Sequence, residues 1–231
     1  MKIDLDSCIA ELKEKILYVF GYDPNLKPLP ARSREEIANA ETAVSPQKYL
    51  QFAVADLSGN DPIHSAVNAY SNCKRAIDRQ LEILIGHLGF TKVAKREKWS
   101  VPKKIAFVKD SGVIAPRILE RINLTRNKLE HDHTPPSIEE AQDAVDVALL
   151  FVSYAEIAPM PSLNIAMGSD GGIGVRWNSE EMSFEFYRNR GSGTDRREER
   201  LGCKVTYGEK GFDELYTFLT RILPAIDRRR S

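Results

Sequence analysis

Residues 61–90, "DPIHSAVNAYSNCKRAIDRQLEILIGHLGF", decide the fold class. Asp61 is a side-chain cap, Pro62 suits the first helical position, and Ile63, Val67, Tyr70, Ile77, Leu81, Leu84 and Leu88 recur at helical spacing. The pattern predicts one long amphipathic helix lining a core. Asn68, Asn72, Arg75 and Arg79 form a polar stripe opposite the apolar one. Such a stripe ordinarily faces water; in a cleft it would set amides and guanidinium groups beside an anion.

The flanking segments also read as helices. "DLDSCIAELKEKILYVFG" (4–21) has Asp6 or Ser7 as a cap, apolar Ile9, Leu12, Ile16, Val19 and Phe20, and a stop at Gly21. "SREEIANAETAV" (33–44) and "SPQKYLQFAVADLSG" (45–59) predict two shorter helices, the second entering through Ser45 with Pro46 behind it. Between them and the first helix lies the proline-rich, extended "YDPNLKPLPARS" (22–33). Beyond the long helix, "TKVAKREKWSVPKK" (91–104) reads as a polar loop, and Ile114, Ile118, Ile122 and Leu129 predict a second long helix over 114–130. "SIEEAQDAVDVALLFVSYAEI" (137–157) opens on a capping box, Ser137 with Glu140, and turns Ala144, Val147, Leu150, Phe151 and Tyr154 inward. At least four substantial helices follow, joined antiparallel.

From Pro159 the texture changes. "PMPSLNIAMGSDGGIGVRWNSEEMSFEFYRNRG" (159–191) alternates apolar and polar residues between turn signals, and "CKVTYGEKG" (203–211) continues it. The intervening "RNRGSGTDRREERLG" (188–202) reads as a charged hairpin connection whose Gly191-Ser192-Gly193 does not match a P-loop. A last helix, "FDELYTFLTRIL" (212–223), precedes a basic tail with Arg228, Arg229 and Arg230. The expected fold is therefore mainly α: an N-terminal helical extension (1–58), an antiparallel helical bundle (59–158), and a small α+β domain (159–231) of one antiparallel sheet plus one helix.

Composition narrows the function. The 33 basic and 33 acidic side chains cancel, so no overall field draws the chain to nucleic acid or an anionic membrane, and any polyanion site must be local. Acids occupy the first residues where a secretion signal needs an apolar run, and no stretch offers the roughly eighteen uncharged residues of a membrane span. A cytoplasmic address without membrane contact is expected. Cys8, Cys73 and Cys203 are odd in number and lack CxxC spacing, which fits neither a disulfide framework nor a zinc site; they read as reduced and buried.

The chemistry-bearing stretch is "TRNKLEHDHTPP" (125–136). Three readings are open. Glu130, His131 and Asp132 can finish a helix ahead of Pro135 and Pro136, with imidazole at the negative end of the dipole. His131 and His133 with Asp132 can supply two metal ligands, but a third must come from elsewhere, and His64 and His87 form no ligand-spaced pair. Alternatively, Asn127 and His131 share a helix face beside the Arg126 and Glu130 stripe, which gathers a permanent cation, an amide and an imidazole with an ordinary pKa of about 6.5. That set suits a phosphodiester: imidazole moves a proton and guanidinium neutralises charge on phosphoryl oxygens. One imidazole fills one of two proton-transfer roles, and two copies of the segment across a symmetric dimer fill both.

Arg126-Asn127-Lys128-Leu129-Glu130-His131 resembles the signature of HEPN domains, an arginine followed by a polar residue and then a histidine a few positions on. The order of a late core helix bearing the motif and one more long helix, over 114–157, resembles that family's bundle, and "NAYSNCKRAID" resembles part of its early core helix. The resemblance spans about residues 60–157. It implies a HEPN-like antiparallel bundle acting as a metal-independent endoribonuclease, a homodimer with both motifs at one cleft, leaving a cyclic phosphate and a 5′-hydroxyl. It further implies a toxin–antitoxin or other defence setting, and an antitoxin protein as a partner. By the same resemblance Arg126 stabilises phosphate, Asn127 orients the substrate or the motif, and His131 moves protons. Auxiliary candidates come from the residues themselves: Glu130, which has no fixed family role and can pair with Arg126, His133, six residues beyond Arg126, and Asn72 and Arg75 where their stripe lies in the dimer cleft.

The basic segment Lys92, Lys95, Arg96, Lys98, Trp99, Lys103 and Lys104 interleaves cations with an aromatic ring, a pattern suited to a phosphate backbone and a stacked base, hence to RNA. No cofactor or metal is expected. The rival reading from another class is a non-catalytic HEPN-type module that binds RNA, nucleotide or a partner protein.

Overall fold

The computed structural model describes residues 4–22, 44–112, 117, 124, 135–158, 163, 171–191 and 197–222. Among them are helices α1 (Leu5–Tyr22), α2 (Pro46–Asp56), α3 (Pro62–His87), α4 (Thr91–Arg96), α5 (Val101–Asp110) and α6 (Ile138–Ile157). Strands β1 (Ile173–Asn178), β2 (Ser183–Arg190) and β3 (Arg197–Thr206) follow, then α7 (Phe212–Thr217), which widens into a π-helical turn over Phe218–Ile222. The expectation of a mainly helical chain with a small antiparallel sheet and a closing helix is met. Of the expected helices, "SREEIANAETAV" lies outside the described residues apart from Val44. So does 114–130, apart from Arg117 and Leu124, whose backbones are helical.

The contacts divide the chain into two compact units. One holds α1, the segment Leu88–Val93, the sheet and α7; the other holds α2, α3, α5, α6 and the end of α4 from Ala94. Thus α1 and α2, neighbours in sequence, belong to different units.

In the helical unit, α3 packs against both α2 and α6. Asp61 caps α3 by accepting from the N–H groups of Ile63 and His64 (3.0 and 3.1 Å), and Ser45 caps α2 through the Lys48 N–H at 3.1 Å. The Ser137–Glu140 capping box opens α6 as expected. Most residues expected inside are buried, Tyr70, Ile77, Leu81, Leu84 and Leu88 of the long apolar stripe and Ala144 and Phe151 on α6, but three are exposed. Ile63 and Leu150, expected inside, are each 64% exposed, and Val67 is exposed too; the buried faces run through Ala66, Ala69, Cys73 and Ala76 on α3 and Ala141, Ala144, Ala148 and Ala155 on α6. Ala66, Ala69 and Ala141 form one cluster, bordered by Leu57 and Ile138. Small side chains let helix axes approach closely, and these alanines share the buried faces with Tyr70, Leu81, Leu84 and Phe151. The segment 91–104, expected as a loop, forms α4 and the start of α5, with Ser100 and Pro102 marking the second start.

In the other unit the strands pair antiparallel in the order β1-β2-β3, with Val175 opposite Phe186, Trp177 opposite Phe184 and Phe184 opposite Val205. Arg197, Glu198, Glu199 and Arg200, read from sequence as loop, belong to β3. Cross-strand ion pairs, Arg190 with Glu199 (2.8 Å) and Arg176 with Glu198 (2.7 Å), extend the ladder into charged sequence. The register shifts between Glu185 and Tyr187, opposite Gly202 in the left-handed region (φ +70°).

Helix α1 packs on β1 and β3 with Cys8, Ile9 and Leu12 buried. Its cap is Asp4, not the expected Asp6 or Ser7: the Asp4 carboxylate accepts from the Ser7 N–H (3.0 Å) and hydroxyl (2.6 Å). Those bonds, the hydroxyl's first, hold the Asp4 carboxyl below its ordinary range. Farther along α1, Glu11 is clamped by Arg188 of β2, whose Nη1 and Nη2 donate to its two oxygens at 2.9 and 2.8 Å.

The core of this unit is aromatic. Phe90 stacks on Trp177 (centroids 5.3 Å, 12°) and meets Tyr207, Phe212 and Tyr216 edge-on. Gly89 makes that approach feasible: its φ is +79°, and a Cβ there would stand 2.2 Å from Trp177 Nε1. The Thr220 hydroxyl donates to the Tyr216 carbonyl at 2.8 Å, within the segment where α7 gives way to the π turn.

Two outcomes are expected. Gly89→Ala should destabilise the sheet unit by about 2–4 kcal/mol, from left-handed strain plus the clash with Trp177, as read by chemical denaturation. Arg188 holds the Glu11 carboxyl below its ordinary value of 4.5, so the stabilisation is complete above pH 4.5 and is lost as pH falls through the lowered folded value. Arg188→Met should cost about 1–2 kcal/mol at neutral pH, and its stability should fall less steeply than the wild type's below pH 4.5.

Candidate functional site

The polar stripe expected on α3 forms, and within it Arg75 bonds to Asn72 while the other members engage neighbouring side chains. The Asn68 amide lies 3.2 Å from the His64 ring nitrogens on the exposed side. Asn72 Nδ2 donates to Asp56 Oδ2 of α2 at 2.8 Å, and Arg75 Nη1 donates to Asn72 Oδ1 at 3.0 Å. Asp56 therefore fixes which way the Asn72 amide points, and that amide positions the Arg75 guanidinium, which has five N–H donors and engages Asn72 with one group. One turn farther, Arg79 pairs with Glu82 at 3.1 Å, and Glu82 also takes Lys104 of α5 at 3.3 Å. The resulting edge presents an oriented amide and an exposed guanidinium, a pair that suits phosphoryl oxygens.

Sequence reasoning named Asn72 and Arg75 but missed Asp56 and Glu82. Helical spacing finds residues that share one helix, whereas Asp56 arrives from another helix, and Glu82 is met by Lys104 from a segment read as loop.

The basic segment is organised around an acid. Glu97 accepts from the Trp99 indole N–H at 2.8 Å and from Lys103 at 2.9 Å, and Arg96 lies 3.6 Å away. The indole, then Lys103, hold the Glu97 carboxyl below its ordinary range. Trp99 is only 7% exposed, tilts against Phe107 at 5.0 Å, and has Lys103 over its ring at 4.9 Å. Its ring thus serves the helical unit as a packed side chain, and a base could stack on it only by displacing these neighbours. Lys95, Arg96 and Lys98 are exposed, and Lys98 takes a left-handed conformation (φ +49°) closing the turn after α4. Lys92 pairs with Glu180 in the sheet unit. The cations read as one surface therefore fall on two units.

Arg126, Asn127, Glu130, His131 and His133 lie outside the described residues, as do Ser192, Gly193 and Arg228–Arg230. Among the described residues no cluster of three His, Cys, Asp or Glu side chains is placed to hold a metal ion, and no helix is long and apolar enough to cross a membrane.

Trp99→Ala should lower the stability of the helical unit by about 3 kcal/mol, because it vacates a buried aromatic site. Unchanged stability with weakened RNA binding would instead make the ring a stacking platform; denaturant melts and a fluorescence titration with single-stranded RNA separate the two.

No family model matches this chain, and neither curated proteins nor solved structures give a match.

Proposed function

We propose that this chain is a metal-independent endoribonuclease, working as a homodimer through Arg126, Asn127 and His131, in a toxin or defence setting. The observation that carries the reading is the hexapeptide Arg126-Asn127-Lys128-Leu129-Glu130-His131, resembling the HEPN signature and placed just ahead of α6. The oriented Asn72–Arg75 pair on α3 supports it by adding a phosphate-matched edge within the helical unit. In the reaction, one imidazole accepts the 2′-hydroxyl proton as that oxygen attacks phosphorus. The bond to the 5′ oxygen breaks, and the second imidazole, from the other protomer, protonates the leaving oxygen, giving a cyclic phosphate and a 5′-hydroxyl. Arg126 offsets charge on the non-bridging oxygens.

A second reading has its own observation. The basic segment's Lys103 and Lys104 are engaged with Glu97 and Glu82, and Trp99 is buried, so this segment offers RNA less than its sequence suggested. Of the rival non-catalytic module for RNA, nucleotide or a partner protein, that favours the nucleotide and partner-protein forms.

Purified protein incubated with mixed RNA in excess EDTA decides between them. His131→Ala should lose roughly 10²–10⁴-fold in rate and Arg126→Ala a comparable amount, with both variants folded. Activity abolished by EDTA would overturn the metal-free mechanism, and folded wild-type protein that cuts no RNA would favour the binding module. Loss in His133→Ala with full activity in His131→Ala would transfer the proton role to His133. A strictly monomeric enzyme that still cuts would rule out the two-motif cleft.

A further inference from the structure

We propose that Cys8 and Cys203 are a thiol–disulfide pair: oxidation joins them and locks α1 onto β3 of the sheet unit. The two residues stand 195 positions apart in sequence, yet their Sγ atoms lie 2.8 Å from each other in a buried hydrogen bond. Both are thiols in this structure. Cys8 sits in the first turn of α1 and Cys203 in the inner part of β3, and both belong to the same compact unit.

A second feature of the fold points the same way. Cys203 directly follows Gly202, whose left-handed backbone lies where the β2–β3 register slips between Glu185 and Tyr187. Irregularities of this kind re-aim the next side chain and leave the strand locally adjustable. Here the re-aimed side chain meets α1. Nothing lies within 4 Å of the position a Gly202 Cβ would occupy, so the glycine answers a backbone requirement rather than crowding. The third cysteine, Cys73, belongs to α3 of the helical unit, is itself buried, and has its thiol pushed up to about 12 by that burial.

The co-reactant is a low-molecular-weight disulfide. One protein thiolate attacks a sulfur of that disulfide, whose S–S bond breaks; one small thiolate leaves and takes up a proton, and a mixed disulfide remains. The second protein thiolate then attacks the protein-side sulfur and expels the other small thiol. The protein gives up two electrons and two protons, and the small disulfide gains both. Burial, with the Cys203 contact next, raises the Cys8 thiol above its ordinary value, so the pair is slow to react until α1 lifts. Once made, the bond prevents that lifting. The device is a latch on the Cys8 end of α1, which is also held by buried apolar contacts, the Glu11–Arg188 and Lys13–Glu214 ion pairs and the Lys15 bond to the Gly171 carbonyl.

The test uses the full-length protein in native buffer with oxidised glutathione, followed by alkylation, intact mass measurement and peptide mapping. The expected result is loss of two hydrogens without gain of glutathione, one remaining alkylatable thiol assigned to Cys73, and a cross-linked peptide pair containing Cys8 and Cys203. The oxidised form should melt at a higher temperature, and dithiothreitol should restore three thiols and the original midpoint. Cys73→Ser should behave as wild type, while Cys8→Ser and Cys203→Ser should form no intramolecular bond. Three alkylatable thiols after prolonged oxidation, a bridge through Cys73, or stable glutathionylation without ring closure would each overturn the proposal. Peptide mapping of the wild type keeps the test decisive even if a serine variant fails to fold.

Discussion

Phe90 set flat against Trp177 is the contact on which the sheet unit depends. The chain leaves α3 at His87, turns through Gly89 and delivers Phe90 into a ring of Trp177, Tyr207, Phe212 and Tyr216. Aromatic pairs of this geometry add about 0.5–1.5 kcal/mol each beyond area burial, so a residue with four ring neighbours outweighs any single aliphatic contact. The constraint is steric as well as energetic, since only glycine beside Phe90 clears the indole nitrogen. A six-residue segment from the middle of the chain thereby joins a unit otherwise built from its two ends.

The helical unit obeys a different rule. Its central helix meets α2 and α6 through alanines, which give little transfer energy individually but allow backbones close enough for many dispersion contacts. That choice leaves Ile63, Val67, Leu149, Leu150 and Ile157 facing outward, and three of them, Ile63, Val67 and Leu150, are residues that helical spacing placed inside.

Charge is likewise settled locally. Glu97, Glu82 and Glu11 each gather one or more cations within 4 Å, and the neutral balance of the whole chain is repeated in small clusters. For the candidate site, this means that a basic run in sequence is not a basic surface in space. Asn72 and Arg75 were legible because helical periodicity alone puts them on one edge. Their orientation by Asp56 was not, because no local rule brings α2's last residue to the middle of α3.

The sequence by itself determined where α2, α3 and α6 begin: Ser45-Pro46, Asp61-Pro62 and the Ser137–Glu140 box satisfy orphan backbone N–H groups with nearby side chains, and alternation with turn residues marks β1 and β2. It also determined the Arg126-Asn127-x3-His131 spacing, from which the proposed chemistry derives. Only the tertiary structure decided which faces are buried, that α1 and α2 part company, that Trp99 packs rather than stacks on a ligand, and that Cys8 meets Cys203. The physical reason is range. Caps and turns are made by residues three or four apart, whereas burial, ion pairing and thiol contact are made by whatever distant segment closes the space.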